Sequence, residues 1–426
     1  MFLLTLALIA SVGGWSSETS GDPFDERILA AAIWKDSPDI VAARTTVVDA
    51  RAVVERARLY PNPSLTATWG TIPIGRRNPA GIPFDQVPNY TLGASQFFEI
   101  GKREPRGAAA RAGADEARLF LRELFRERFL DVLRAIGEQE IAAGRAAVLE
   151  RLVKDSEETL RLQKLRASHG DVAGLEVDRL EVEHLRLLSS LGEARAAIEA
   201  ASATCALLLG DNCPRLTTLE DSLRYLATAV PVDDADEGGI SRRPDLRALE
   251  ASERRAQFEG LLAKRQRIPD ATLTAAVTHD AFVISGNQPN SVTLSLAMPL
   301  PIFDRGQPEA ARAAARASLA ARQRETLVAA ARRALAADRR RLGVLAERTR
   351  RLDEQAIPMA RTTAERVEAA ARRGGAALQD VLLARRAMEE LQLDRVDVAG
   401  QSFSTRLEIR RAAGSVPEPP GGFRDE

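Results

Sequence analysis

An internal duplication constrains the fold more than any other feature of the chain. Residues 36–66 read DSPDIVAARTTVVDARAVVERARLYPNPSLT, and residues 242–274 read RRPDLRALEASERRAQFEGLLAKRQRIPDATLT. Both pass from Pro-Asp-apolar into an Ala/Arg/Glu-rich helical stretch, then a proline turn, then alternating apolar and threonine residues. Pro38 and Pro61 of the first copy correspond to Pro244 and Pro269 of the second. Further along, YTLGASQFFEIGKR (90–103) matches SVTLSLAMPLPIFDRG (291–306), and the segment 158–187 matches 362–392. Landmarks recurring in one order mark two copies of one unit, and a repeat of this kind sets the architecture before any local detail does.

Each unit has the same internal order. A helix of moderate length (38–60, 244–266) precedes two short strands separated by a Gly/Pro/Asn-rich loop. A very long helical stretch follows (104–168, 307–373), then a glycine break (Gly170; Gly374 and Gly375) and a last helix (171–209, 376–412). The expected division is therefore a first repeat over 21–210, a linker or small insert over 211–241 with Pro214, Pro231 and the Gly238–Gly239 pair, a second repeat over 242–412, and a flexible tail over 413–426. Residues 1–20 read as a signal peptide. The segment is apolar from Phe2 to Val12, too short for a bilayer span of about 20 residues but suited to a secretory core. It lacks a preceding basic residue, and a buried N-terminal helix is the alternative. No cysteine follows it to carry a lipid. Elsewhere no apolar run approaches about 18 residues, so a membrane crossing would have to be made by strands.

The strands fit that requirement. Over Ser64–Thr71, Leu65, Ala67 and Trp69 alternate with Thr66, Thr68 and Gly70; over Tyr90–Phe98, Tyr90, Leu92 and Ala94 alternate with Thr91, Gly93 and Ser95. In the second copy Leu273, Ala275 and Val277, then Val292, Leu294, Leu296 and Met298, alternate with Thr and Ser. Side chains on a strand alternate faces, so each strand has an apolar face and a hydroxyl face. That suits a barrel with lipid outside and water inside; a soluble sheet lying on a core alternates in the same way. Leu65, Trp69, Tyr90, Leu92, Leu273, Val277, Leu294 and Leu296 are the candidate membrane-facing residues, with Trp69 and Tyr90 at the lipid interface or simply packed. Small barrels need about eight strands, so four per chain require sharing among subunits, and three copies would supply twelve. Residues 104–168, at about 1.5 Å per residue, reach roughly 100 Å, too long for a compact domain. Their apolar positions (Leu119, Leu121, Leu124, Phe125, Phe129, Leu130, Leu133 and Ile136, then Ile141, Val148, Leu149, Leu152 and Val153) form a wide stripe, as for a helix with neighbours on two sides.

Composition argues against chemistry. Lys plus Arg and Asp plus Glu each number 60, which gives no basic bias of the kind a nucleic-acid binder carries. His169, His184 and His279 are scattered, and with two Cys and four Met they build no metal site and call for no cofactor.

PNPSLTATWG (61–70) and FFEIGKREPRGAAARA (97–112) resemble segments of the TolC-like outer-membrane factors. The second is similar to the EIGGKR-type segment of the heavy-metal, CzcC-like branch. Segment 158–188 and GGAALQDVLLARR (374–386) resemble the helix–turn region at the family's periplasmic tip. The resemblance covers the chain after residue 25. It implies a mainly α chain with a small β part and no enzymatic activity, in the outer membrane of a Gram-negative bacterium. It further implies a homotrimer sharing a 12-stranded β-barrel in outer-membrane lipid, continued by a long α-helical barrel through the periplasm. Such a barrel is the passive exit duct of a tripartite efflux system. An inner-membrane efflux pump and a periplasmic adaptor (membrane fusion protein) deliver the substrates, heavy-metal cations among the candidates. At the tip the family places acidic residues that narrow the pore; Asp380 falls on that position, and Glu176 and Asp178 occupy the comparable stretch of the first copy. The alternative for these carboxylates is surface pairing with Arg179, Arg385 or Arg386. In an oxidising periplasm Cys205 and Cys213 would be bridged; two free thiols are the alternative. A periplasmic coiled-coil adaptor or scaffold would also carry long Arg/Glu helices, but would not repeat strand pairs in both halves. A soluble helical enzyme would need a convergent titratable cluster.

Overall fold

The computed structural model describes residues 24–72, 74–75, 81–210, 212–216, 218–232, 237–282, 288–415 and 417–418. The expected signal peptide, and residues 416 and 419–426 of the expected tail, lie outside the described residues.

Chain order is α1 (Glu26–Asp36), α2 (Pro38–Arg58), β1 (Ser64–Gly70), β2 (Asn89–Phe98), α3 (Arg103–Ser168), α4 (Gly174–Leu209), α5 (Leu219–Thr228) and α6 (Glu237–Arg242). It continues with α7 (Pro244–Arg265), β3 (Ala271–Asp280), β4 (Asn290–Ala297), α8 (Gln307–Arg351), α9 (Ile357–Arg372) and α10 (Leu378–Ala413). Prolines stand in the first turn of α2, α7 and α8, where the missing N–H has no intrahelical partner to lose. The long helices turn back at Gly170 (φ 83°) and Gly374 (φ 79°), left-handed positions that glycine takes without a Cβ clash.

The four strands form one antiparallel sheet in the order β1-β2-β3-β4. The helices attached to their ends follow the same order, with α3 packed between α2 and α7, and α7 between α3 and α8. Farther from the sheet, α3 pairs with α4 and α9 with α10, and α10 also lies against α3 and α8. The core sits around the middle of α3. There Phe125, Phe129, Leu133 and Ile136 bury against Ile33 of α1, Ile40 and Val47 of α2, Leu226 of α5 and Phe403 of α10. Most of the apolar stripe read from the sequence is buried, from Leu119 and Leu121 to Leu149 and Leu152.

Glycines let α3 and α10 approach closely. A Cβ on Gly137 would lie 2.1 Å from Phe403 Cε1, one on Gly400 2.5 Å from Ile141 Cδ1, and one on Gly144 3.2 Å from Val396 Cγ1. Large side chains of each helix thus seat on glycines of the other, at spacings that share one helix face.

Four features differ from the sequence reading. The stretch 307–373 is not one regular α-helix: a π turn at Leu352–Ala356 precedes Pro358, and the Ile357 N–H donates to the Leu352 carbonyl. Proline cannot donate and its ring crowds the carbonyl four residues back, so the helix widens by a residue there. The 211–241 linker holds two helices, α5 and α6, and α6 runs on to Arg242, past the expected boundary. Helix α1 precedes the first repeat landmark, with Asp25 Oδ1 accepting the Arg27 N–H at 2.8 Å as its cap. β1 stops at Gly70, one residue short of the expected Thr71, whose backbone is left-handed at φ 55°.

Candidate functional site

Register decides which strand residues share a face. Leu65 pairs with Ala94, Ala67 with Leu92 and Trp69 with Tyr90. Tyr90 faces His279 across the next ladder, Leu92 faces Val277 and Ala94 faces Ala275. Leu273 faces Leu296, Ala275 faces Leu294 and Val277 faces Val292. Directly paired residues lie on one side of a sheet, so Leu65, Trp69, Tyr90, Leu92, Leu273, Val277, Leu294 and Leu296 all share one face. It is uncovered: Leu65 is 75%, Val292 73% and Leu294 74% exposed. Trp69 and Tyr90 stack on it, with ring centroids 6.4 Å apart. The other face carries Thr66, Thr91, Ser95, Thr274, Thr278, Thr293 and Ser295, with hydroxyl contacts between Ser64 and Ser95 (2.7 Å) and between Thr91 and Thr278 (3.0 Å). At the sheet's outer end His279 Nδ1 lies 2.8 Å from Asn290 Oδ1.

The junction between sheet and helices is built from charge. Lys102 Nζ pairs with Asp270 Oδ2 at 2.6 Å, and the Ile100 N–H donates to Asp270 Oδ1 at 3.1 Å. Arg106 pairs with Glu99, also across the β2-to-α3 passage. These contacts, largely shielded from water, fix the angle at which helices leave the strands.

At the opposite end lie the predicted acidic residues, on the first turns of α10 and α4. Asp380 is exposed, and its Oδ2 accepts the Ala377 N–H at 3.2 Å, closing the first turn of α10. Glu176 and Asp178 are exposed on the first turns of α4, without a hydrogen bond or ion pair to Asp380 among the described residues. Two of the three expected alternative partners, Arg385 and Arg386, are committed elsewhere. Arg385 Nε binds Glu368 Oε1 at 2.7 Å and its Nη1 donates to Thr159 Oγ1 at 2.8 Å; Arg386 Nη2 binds Glu183 Oε2 at 2.8 Å. Asp155, Arg179, Glu183, Arg385, Arg386 and Glu389 line a cavity of about 180 Å³ there. Burial, with Glu183 and then Asp155 nearby, raises the Glu389 pKa against the opposing pull of Arg385 and Arg386. Sequence reading had no access to this cluster, since its α10 members lie more than 200 positions from those on α3 and α4. Only Arg179, Arg385 and Arg386 were visible, as candidate partners for Asp380, Glu176 and Asp178.

Cys205 and Cys213 are joined in a disulfide, Cα–Cα 5.6 Å, that ties the end of α4 to the segment before α5. That segment is also held by Glu140, a fully buried carboxylate of α3. Its Oε2 accepts the Ser222 hydroxyl at 2.6 Å and its Oε1 the Leu216 N–H at 3.2 Å. Among the described residues no helix is long and apolar enough to cross a membrane, and no group of three or more His, Cys, Asp or Glu side chains could hold a metal ion.

With this geometry in place, comparison with known proteins gives a consistent answer. Residues 240–415 match the model of the outer membrane efflux protein family. It is over this second repeat that the chain is similar to the outer membrane efflux protein family. A relative in Cupriavidus metallidurans, the cobalt-zinc-cadmium resistance protein CzcC, is 24% identical over 365 residues, 85% of this chain and 83% of that one. Among solved structures, the outer-membrane channel OprN superposes with a TM-score of 0.75 at 20% identity, covering 92% of this chain and 90% of its own. VceC of Vibrio cholerae gives 0.73 at 19%, covering 91% and 95%. CusC gives 0.75 at 16%, covering 91% of each. At such identities the structures establish the fold: a mainly helical chain with a small sheet, as in these channels.

Proposed function

We propose that the chain is one subunit of a homotrimeric outer-membrane duct, a passive exit for substrates delivered by an inner-membrane pump and a periplasmic adaptor. The observation that carries this reading is the uncovered apolar face, continuous across all four strands and opposed by a hydroxyl face. In water such a face is costly, at about 25 cal/mol per Å² of apolar surface; against lipid it is at home, provided the sheet closes and no edge is left unpaired. β1 and β4 are the free edges and run in opposite directions. β4 of one copy can therefore pair antiparallel with β1 of the next, and three copies close twelve strands.

The helices support the same closure. α2 and α8 flank the helical layer as β1 and β4 flank the sheet, and α2 exposes Val41, Val48 and Val53. Opposite its buried face, α4 presents an exposed stripe that includes Leu175, Val182, Leu185, Ala196, Ala200 and Leu207, spaced as a coiled-coil seam. Second copies of the chain would cover both. Outer-membrane location, with the helices extending into the periplasm, follows from the family and the sheet together. The likeness to CzcC and the Glu99–Arg103 segment favour heavy-metal cations as the cargo, passed along without tight coordination.

Native mass spectrometry on protein extracted by detergent from an outer-membrane fraction tests the assembly. A detergent-dependent trimer is expected. A monomer stable without detergent would mean a soluble sheet and would put the adaptor or scaffold reading in its place. Cargo is tested separately by comparing growth of a deletion strain in cobalt, zinc and cadmium with its growth in organic toxicants.

A further inference from the structure

We propose that the seam between subunits is fastened by an aromatic contact, Phe303 of one subunit against Tyr60 of the next, in a strand register that the chain's own repeat dictates. The two units of the repeat correspond residue by residue at the sheet. Pro61 matches Pro269, so Tyr60 matches Ile268 and Leu65 matches Leu273. Thr91-Leu92 matches Thr293-Leu294, and Ile100 and Arg103 match Ile302 and Arg305, which sets Gly101 against Phe303. The ladders obey this correspondence. Leu65 pairs with Ala94 in the first unit and Leu273 with Leu296 in the second; Ala67 pairs with Leu92, and Ala275 with Leu294. The pairing of β2 with β3, which joins the two units inside the chain, is therefore the template for the pairing of β4 with β1 of the next subunit.

Translated through the repeat, Leu92 opposite Val277 becomes Leu294 opposite Trp69, and Ala94 opposite Ala275 becomes Leu296 opposite Ala67. Gly93 opposite Ala276 becomes Ser295 opposite Thr68. Apolar residues of β4 thus meet apolar residues of β1, and small or hydroxyl residues meet each other, so both faces run unbroken across the seam. A slip by one residue would break both faces; a slip by two would not, and the repeat chooses among those. Beyond the strands the seam departs from its template. Inside the chain Lys102 and Asp270 pair at 2.6 Å beside Gly101, where a Cβ would lie 3.9 Å from Ile268 Cδ1. At the seam Asp304 and Asn62 take the places of Lys102 and Asp270, and Asp304 Oδ1 already accepts the Gly306 N–H at 2.9 Å. The ion pair has no counterpart there. Phe303 and Tyr60 take the places of Gly101 and Ile268, and they stand 92% and 73% exposed at opposite edges of the chain. Tyr60 is held ready by its own subunit. The Arg103 guanidinium lies 4.0 Å over its ring, and Arg103 Nη2 donates to the Arg58 carbonyl at 2.5 Å. A ring already ordered loses little freedom when a second ring covers it, and an aromatic pair stabilises beyond the area it buries.

The inference rests on the duct reading, and cross-linking of the full chain in the outer-membrane fraction lets the two fail separately. Chains carrying Phe303→Cys with Tyr60→Cys are treated with a short bifunctional thiol reagent; the native pair is already bridged. Monomer is expected to give way to covalent dimer and closed trimer on denaturing gels, while either single variant stays monomeric. Oxidation of Ser295→Cys with Thr68→Cys should give the same ladder. Ser295→Cys with Thr66→Cys should not, because diagonal neighbours lie about 7–8 Å apart and a disulfide spans about 4.4–6.8 Å between Cα atoms. In the otherwise unsubstituted chain, Phe303→Ala is expected to lower the temperature at which the trimer dissociates in SDS, and Phe303→Tyr to restore it. A trimer that does not cross-link between positions 303 and 60, or one whose dissociation temperature Phe303→Ala leaves unchanged, overturns the aromatic contact. A trimer that cross-links at the diagonal pair instead of Ser295 and Thr68 overturns the register. Both results leave the duct standing, whereas an unsubstituted chain that forms no trimer overturns the duct and the seam together.

Discussion

Asp380 accepts the Ala377 N–H, so its removal acts on the start of α10 whatever the carboxylate does in the duct. An acidic side chain at the third helical position satisfies an amide that the helix leaves orphaned, and the residue is explained structurally without any pore. Its exposure at the tip leaves a second role open, and the two separate by substitution. Asp380→Asn keeps an oxygen able to accept the Ala377 N–H and removes only the charge. It is expected to leave thermal stability within about 0.5 kcal/mol, while lowering the cation-over-anion permeability ratio in planar bilayers, because an acidic ring at a constriction selects cations. Asp380→Ala should change selectivity in the same direction and also cost about 1 kcal/mol through the lost cap. Selectivity unchanged in Asp380→Asn would remove the carboxylate from the aperture and leave only the cap.

At the scale of the element, the interlocked glycines of α3 and α10 set how closely the two halves of the chain approach. The Gly137 position admits no Cβ unless Phe403 moves, and Phe403 is itself buried in the core. Gly137→Ala is therefore expected to destabilise by about 1–3 kcal/mol despite alanine's better helix propensity, read as a lower midpoint in denaturant unfolding. Adding Phe403→Leu should recover part of that loss; a Gly137→Ala protein as stable as the parent would show that α10 can shift freely. Elements whose pattern is local were legible in the sequence. The strands, with their alternation over seven to ten residues, stand within about two residues of where periodicity placed them. What was not legible depends on partners far away in sequence. Helix α1 is short and takes its meaning from burial against α2 and α3. The π turn is a compromise around Pro358 that apolar spacing does not register. Helices α5 and α6 sit in a segment whose prolines and glycines read as a linker, although the Thr218 hydroxyl accepting the Asp221 N–H at 3.1 Å is a cap that the sequence Thr-Leu-Glu-Asp could have announced. The tip cluster around Glu389 was beyond reach because no local pattern joins α3, α4 and α10.

For the whole molecule, the two faces of the sheet must meet different media if three copies close a barrel, and neighbouring residues on one strand make the sharpest comparison. Leu294 lies on the apolar face opposite Ala275, and Thr293, the preceding residue, on the hydroxyl face opposite Ala276. Leu294→Arg would put a guanidinium against hydrocarbon, at a cost of about 2–4 kcal/mol near the bilayer midplane and less toward either interface. With three copies the penalty is incurred three times in one barrel. Leu294→Arg is thus expected to lower the amount of trimer recovered from the outer-membrane fraction. Thr293→Arg would place the same charge in a water-filled lumen, where it stays hydrated. That variant is expected to assemble normally and to reduce single-channel conductance to cations. The opposite pattern, assembly lost in Thr293→Arg and kept in Leu294→Arg, would mean that the hydroxyl face is the covered one. The barrel would then be inverted relative to the membrane argument, and the sheet would have to be read as a soluble layer whose apolar face awaits a protein partner.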